Sequence, residues 1–84
     1  PVIQPIGYLS ATEGELFSYN ITAESALGNE LRFVDNSPLF NIDPELGKIQ
    51  FIPNSTMIGA HEFKIIVIER SGGRSSETGY IIIE

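Results

Sequence analysis

His61 is the only histidine of this chain and there is no cysteine, so the side chains that most often do chemistry near neutral pH are reduced to one imidazole. A histidine-rich or cysteine-based metal centre is thereby excluded, and a Ser-His-Asp arrangement would rest on that single ring at the start of a strand. The competing reading is a partly buried strand residue whose ring packs at the end of the fold. Asp43 and Glu45 lie close together, yet they flank a turn in which Asp43 has the structural job of an Asx cap. Ser71-Gly72-Gly73-Arg74-Ser75-Ser76 has the glycine and serine content of a phosphate loop, but no helix follows to supply a dipole, and it reads as a flexible hairpin loop. Two tripeptides, Asn20-Ile21-Thr22 and Asn54-Ser55-Thr56, satisfy the N-x-Ser/Thr pattern for glycosylation. Asn54 sits in a loop after Pro53 and Asn20 on the outward face of a strand.

The elements that must position these residues are strands, because period-two alternation dominates and no window supports an amphipathic helix. Residues 2–6 read as an edge strand compatible with Pro5. Residues 16–23 form a second strand with Phe17, Tyr19, Ile21 and Ala23 on one face, and 31–34 a third with Leu31 and Phe33 inward. Residues 39–43 and 48–52 are expected to pair as a hairpin around Asp43-Pro44-Glu45-Leu46-Gly47, with Pro44 presetting the turn and Gly47 taking a positive φ. Residues 61–69 place Phe63, Ile65 and Val67 inward, and 78–84 close the sheet with Tyr80 and Ile82 inward. The expected core is completed by Phe40, Ile42, Ile49 and Phe51. About seven short strands at this spacing predict an all-β, Greek-key β-sandwich. That phasing leaves Val34, Ile66, Ile68, Ile81 and Ile83 on one outer face, a candidate surface for a neighbouring domain or partner protein, unless these residues merely follow the β preference of branched side chains.

A length of 84 residues allows one domain, 1–84, with one modest core and no room for a deep walled active site. Without cysteine, burial and sheet hydrogen bonds must hold the fold. The net charge of −6, with only five basic residues scattered along the chain, disfavours nucleic acid and anionic membrane as partners. The apolar runs at 65–68 and 80–83 are far shorter than the roughly 20 residues that span a bilayer. A start at Pro1, with neither an initiator methionine nor a leader, suggests a module taken from a longer protein.

Taken together, Glu13-Gly14 before Phe17-x-Tyr19-x-Ile21, then Leu31-x-Phe33, Phe40-x-Ile42-Asp43-Pro44-x-x-Gly47-x-Ile49 and Gly59-x-His61-x-Phe63-x-Ile65-x-Val67, resemble the dystroglycan-type cadherin-like domains. They are equally similar to the immunoglobulin-like repeats of bacterial and archaeal surface proteins. The resemblance implies an immunoglobulin/cadherin-like sandwich that is one of several tandem modules in a secreted or cell-surface protein. Its role would be structural or adhesive, its partners neighbouring domains or another surface protein, and its catalysis none. It also implies calcium as the one conceivable cofactor, through Glu13 and Glu69, although Phe51-Ile52-Pro53-Asn54-Ser55-Thr56 stands where calcium-binding cadherins carry an Asp-Arg-Glu-like run. Such an ion takes roughly six to eight oxygens. The alternative function is a ligand- or carbohydrate-binding accessory module of a secreted hydrolase. That reading requires aromatic side chains outside the core to stack on sugar rings; Tyr8 is the clearly spare one, Tyr80 is left undecided, and tryptophan is absent.

Overall fold

In the computed structural model, which describes residues 1–84, the alternating segment around Phe63 becomes the longest strand of an all-β fold. In chain order the strands are β1 (Val2–Ile3), β2 (Gly7–Ala11), β3 (Phe17–Asn20), β4 (Ala23–Glu24), β5 (Leu31–Asp35), β6 (Lys48–Phe51), β7 (Gly59–Glu69) and β8 (Arg74–Ile83). A four-stranded sheet has the order β2-β8-β7-β5, while β3 pairs with β6 and β1 with β4. All pairs are antiparallel except β2–β8, which is parallel.

One cluster of 13 buried apolar side chains joins the sheets. An aromatic chain runs through it from the β3–β6 pair to β7: Phe17 packs edge-on to Phe51 at 5.8 Å, Phe51 meets Phe40 at 5.5 Å, and Phe40 stands edge-on to Phe63 at 5.3 Å. These separations lie in the range where ring quadrupoles attract. Ile21, Phe33, Phe40, Ile42, Ile49, Phe63, Ile65 and Val67 are buried as expected, while Phe17, Tyr19, Leu31 and Phe51 are only partly so. Ile3, Ile6, Ala11, Ile81 and Ile83 complete the core.

Several elements differ from expectation for reasons of partner choice. The first segment does not remain one strand: β1 pairs with β4, and after Pro5 the chain crosses to join β8 as β2. The second segment keeps its period through Phe17, Tyr19, Ile21 and Ala23 but divides its hydrogen bonds, β3 going to β6 and β4 to β1. Residues 39–43 are not a strand, because the ladder they would supply to β6 is made by β3. Phe40 and Ile42 are nonetheless buried. The Asp35 carboxylate holds that loop in place, accepting from the Ser37 amide at 2.9 Å and the Ile42 amide at 2.8 Å.

The turn around Pro44 forms as expected. The Asp43 carboxylate accepts from the Glu45 and Leu46 amides, both at 2.9 Å, and the Gly47 amide closes the turn on the Asp43 carbonyl at 2.9 Å. The Leu46 and Glu45 amides hold the Asp43 carboxyl below its usual range by favouring its charged form.

The phase of the closing strand is reversed. In the β7–β8 register Phe63 faces Gly79, His61 faces Ile81 and Gly59 faces Ile83, and paired residues share a face. Phe63 points inward, so Gly79, Ile81 and Ile83 do too. Gly79 is required there: a Cβ on it would lie 2.6 Å from Phe63 Cζ and 2.7 Å from Ile6 Cγ2.

Candidate functional site

The reversed phase delivers Tyr80 and Ile82 to the outer face, where the parallel register sets Tyr80 beside Tyr8. The two rings stack with centroids 5.0 Å apart and planes inclined by 20°. Tyr8 remains 77% exposed and Tyr80 37% exposed. Across β7, Glu62 is in register with Tyr80, and Ala60 with Ile82. Ser10 follows two residues after Tyr8 on the same face. Since β2 is the outermost strand of its sheet, no strand lies beside the Tyr8 ring on the side away from Tyr80. The arrangement is an aromatic ledge with a carboxylate, a serine hydroxyl and two phenols around it.

At the opposite end of β7, Glu69 continues the inward phase of Ile65 and Val67 and is buried. Ser25 Oγ donates to its Oε1 at 2.7 Å, while Ser71 Oγ at 2.8 Å and Asn29 Nδ2 at 3.2 Å donate to its Oε2. These bonds to the ionised form, from Ser25, Ser71 and Asn29, lower its pKa from the ordinary 4.5 to about 2. The carboxylate thereby ties the loop after β4 to the β7–β8 loop. Beside it runs an open groove of about 720 Å³, whose rim carries Glu30, Arg32, Glu45 and Arg70. Glu30 and Arg70 approach to 3.8 Å as an exposed ion pair. No aromatic ring or histidine lines the groove.

The Glu69 network makes an acid-range prediction. A carboxylate whose folded-state pKa lies below its unfolded value contributes stability that is complete above the unfolded value and is lost as pH falls towards the folded one. Thermal unfolding followed by circular dichroism should therefore show a falling Tm as pH drops from about 4.5 towards 2. Glu69→Gln should lower Tm at neutral pH and flatten its decline over that window. Equal slopes for both proteins would remove the network from the acid response.

The other residues singled out in the sequence are dispersed. Glu13 and Glu69 are not brought together: the Glu13 amide bonds the Glu84 carbonyl at 2.8 Å, next to the Ile83–Gly59 end of the β7–β8 pair, whereas Glu69 ends β7. At about 3.3 Å per strand residue, they are roughly 30 Å apart. Both Glu69 oxygens are engaged by donors, and no group of three or more His, Asp or Glu side chains is gathered to hold a metal. His61 is half-buried, and its Nε2 lies 2.6 Å from the Met57 carbonyl, too far along the fold to join Asp43 or Glu45.

Asn20 is exposed on β3 opposite Lys48. Asn54 is exposed and caps a 3-10 turn, Ser55–Met57, its Oδ1 accepting from the Thr56 amide at 3.0 Å and from Thr56 Oγ1 at 2.5 Å.

The five-residue outer surface is corrected in two members. Ile81 and Ile83 are each 1% exposed, inside the core. Val34, Ile66 and Ile68 do lie on the outer face, Val34 opposite Ile66, with Ser76 and Arg74 rather than isoleucines as the β8 partners. The missed residue of the ledge is Tyr80, and the available signal was Gly79: a glycine inside a strand marks a close approach, here of Phe63, and so fixes the inward phase.

The fold and the exposed surface define a class, a small all-β module whose one accessible aromatic group is a surface pair. No family model matches the chain, and no curated protein matches it by sequence. Among solved structures it is similar to an endo-fucoidan hydrolase from glycoside hydrolase family 107, with a TM-score of 0.74 and 15% identity over 96% of this chain and 13% of that one. It is equally similar to a nucleoside hydrolase-related protein from Saccharophagus degradans that is associated with carbohydrate metabolism, with a TM-score of 0.74 and 12% identity over 100% of this chain and 25% of that one. At these identities the likeness is one of fold.

Proposed function

We propose that this chain is a non-catalytic, carbohydrate-binding accessory module of a secreted carbohydrate-active protein. The observation that carries the reading is that the same fold occupies only 13% of a fucoidan hydrolase and 25% of a protein associated with carbohydrate metabolism. A segment of that share, with its lone histidine bound to a backbone carbonyl, fits a module that assists chemistry done elsewhere. The exposed Tyr8–Tyr80 pair meets the requirement for aromatic side chains outside the core. A Greek-key immunoglobulin/cadherin-like path belongs to this reading. It is supported by the chain passing from β5 in the four-stranded sheet to β6 in the other layer and back to β7. A purely adhesive or spacer role draws only on the sequence resemblance and on the Val34, Ile66 and Ile68 surface.

The test is affinity electrophoresis of the 84-residue chain through gels containing single polysaccharides, together with a reducing-end assay on the same polysaccharides. Retardation by at least one polysaccharide without release of reducing ends is the expected result. Mobility unchanged in every gel, or the appearance of new reducing ends, would overturn the reading.

A further inference from the structure

We propose that the Tyr8–Tyr80 ledge is the glycan site of this module and takes an uncharged oligosaccharide, one pyranose ring lying against the face of Tyr8 turned away from Tyr80. The proposal rests on the accessory-module reading and adds to it the place and the ligand class.

Four features of the ledge lead there. Outward positions on a half-solvated sheet are ordinarily polar, yet Tyr8 leaves a large aromatic surface in water at 77% exposure. One face of its ring stacks on Tyr80 at 5.0 Å, a contact that favours this orientation and so reduces the side-chain freedom lost on binding. The far ring face borders the open edge of the sheet, where a flat ring can approach without meeting another strand. An aromatic face attracts the weakly positive C–H groups of a pyranose through its quadrupole, and the hydroxyls at the rim of such a sugar need both donors and acceptors. Ser10 and the two phenols offer both, and Glu62 accepts.

Charge selects among glycans. Glu62 lies across from Tyr80, and the one cation nearby on that face, Lys64, is two residues further along β7 opposite Thr78. Arg32 and Arg74 flank Ile68, at the other end of the sheet. A sulfated or carboxylated chain would meet a carboxylate without a cluster of cations to offset it, so an uncharged glycan is favoured. The polar Lys64 and Thr78 also separate the ledge from the Val34–Ile66 pair, so the outer face lacks the continuous apolar core of a protein interface.

The experiment is titration of the 84-residue chain with cellohexaose, laminarihexaose and mannohexaose at millimolar concentrations, with fucoidan as the anionic comparator. Backbone amide and tyrosine ring signals are followed by NMR. At least one uncharged hexasaccharide should shift the Tyr8 and Tyr80 ring signals and the Ser10 and Glu62 amides. Tyr8→Ala should weaken that binding by about five- to tenfold while amide dispersion stays native, and Tyr8→Phe, which keeps the stacking ring and loses one hydroxyl, should weaken it less than Tyr8→Ala. Shifts centred elsewhere, binding of fucoidan alone, or unchanged affinity in Tyr8→Ala would overturn the site. If polysaccharide retardation persists in Tyr8→Ala, the site fails and the module reading stands; if no polysaccharide retards the unmodified chain, both fail.

Discussion

Phe63→Ala should leave no stably folded protein. Phe63 is 2% exposed, stands edge-on to Phe40 at 5.3 Å, and covers Gly79 together with Ile6. Its ring is thus where the aromatic chain from β3 and β6 reaches the four-stranded sheet. Removing it deletes apolar burial and leaves a cavity bounded by both layers, at a cost of about 3–5 kcal/mol. A domain of this size has stability of the same order, roughly 5 kcal/mol. Gly79 cannot fill the gap, since it has no side chain. Urea unfolding followed by circular dichroism would measure the effect. Phe63→Leu, which retains part of the volume, should still give a cooperative transition at lower urea. A midpoint for Phe63→Ala close to that of the unmodified chain would show that the two layers do not depend on this contact.

Gly47→Ala should destabilise the fold by about 2–5 kcal/mol, summed from two independent sources. The first is conformational: Gly47 has φ 70°, where a Cβ crowds the backbone at a cost of about 1–2 kcal/mol. The second is packing, because an added Cβ would stand 2.8 Å from Phe33 Cζ and 2.9 Å from Phe33 Cε2. Relieving that overlap moves a buried ring, at about 1–3 kcal/mol. The backbone leaves little room to escape. The Gly47 amide donates to the Asp43 carbonyl at 2.9 Å, the Gly47 carbonyl accepts from the Ile21 amide at 2.8 Å, and the Pro44 carbonyl accepts from the Phe33 amide at 2.9 Å. Combining Gly47→Ala with Phe33→Leu separates the sources: the overlap is eased and the φ penalty remains, so the double variant should lose less than the sum of the single ones. Strict additivity in a denaturant series would assign the whole cost to the backbone.

The ledge and the Glu69 network stand at opposite ends of β7, and their tests are correspondingly independent. Tyr8 substitutions act on an exposed ring and should leave Tm nearly unchanged. Glu69 substitutions act on two loops and should leave the Tyr8 and Tyr80 signals in place.

Local rules were enough to read much of this chain. Alternation in 61–69 placed Phe63, Ile65 and Val67 inward because Glu62 and Lys64 flank Phe63 and set the period, which then carries through the apolar 65–68. The Asp-Pro-x-x-Gly turn formed because each of its residues has a conformational preference that needs no distant partner. The absence of cysteine and the single histidine determined which chemistry was unavailable.

The tertiary structure decided what depends on partners. Tyr80-Ile81-Ile82-Ile83 is apolar at every position, so it carries no phase of its own, and only the register of Phe63 with Gly79 buries Ile81 and Ile83 while turning Tyr80 outward. The division of 17–24 between β6 and β1 was invisible because inward alternation is the same whichever strand accepts the hydrogen bonds. The separation of Glu13 from Glu69, and the meeting of Tyr8 with Tyr80 from opposite ends of the chain, follow from a parallel β2–β8 pairing that no local preference encodes. Side-chain period is a property of a segment, whereas strand partner and register are properties of the whole chain, and the candidate site lies where the second kind of information was needed.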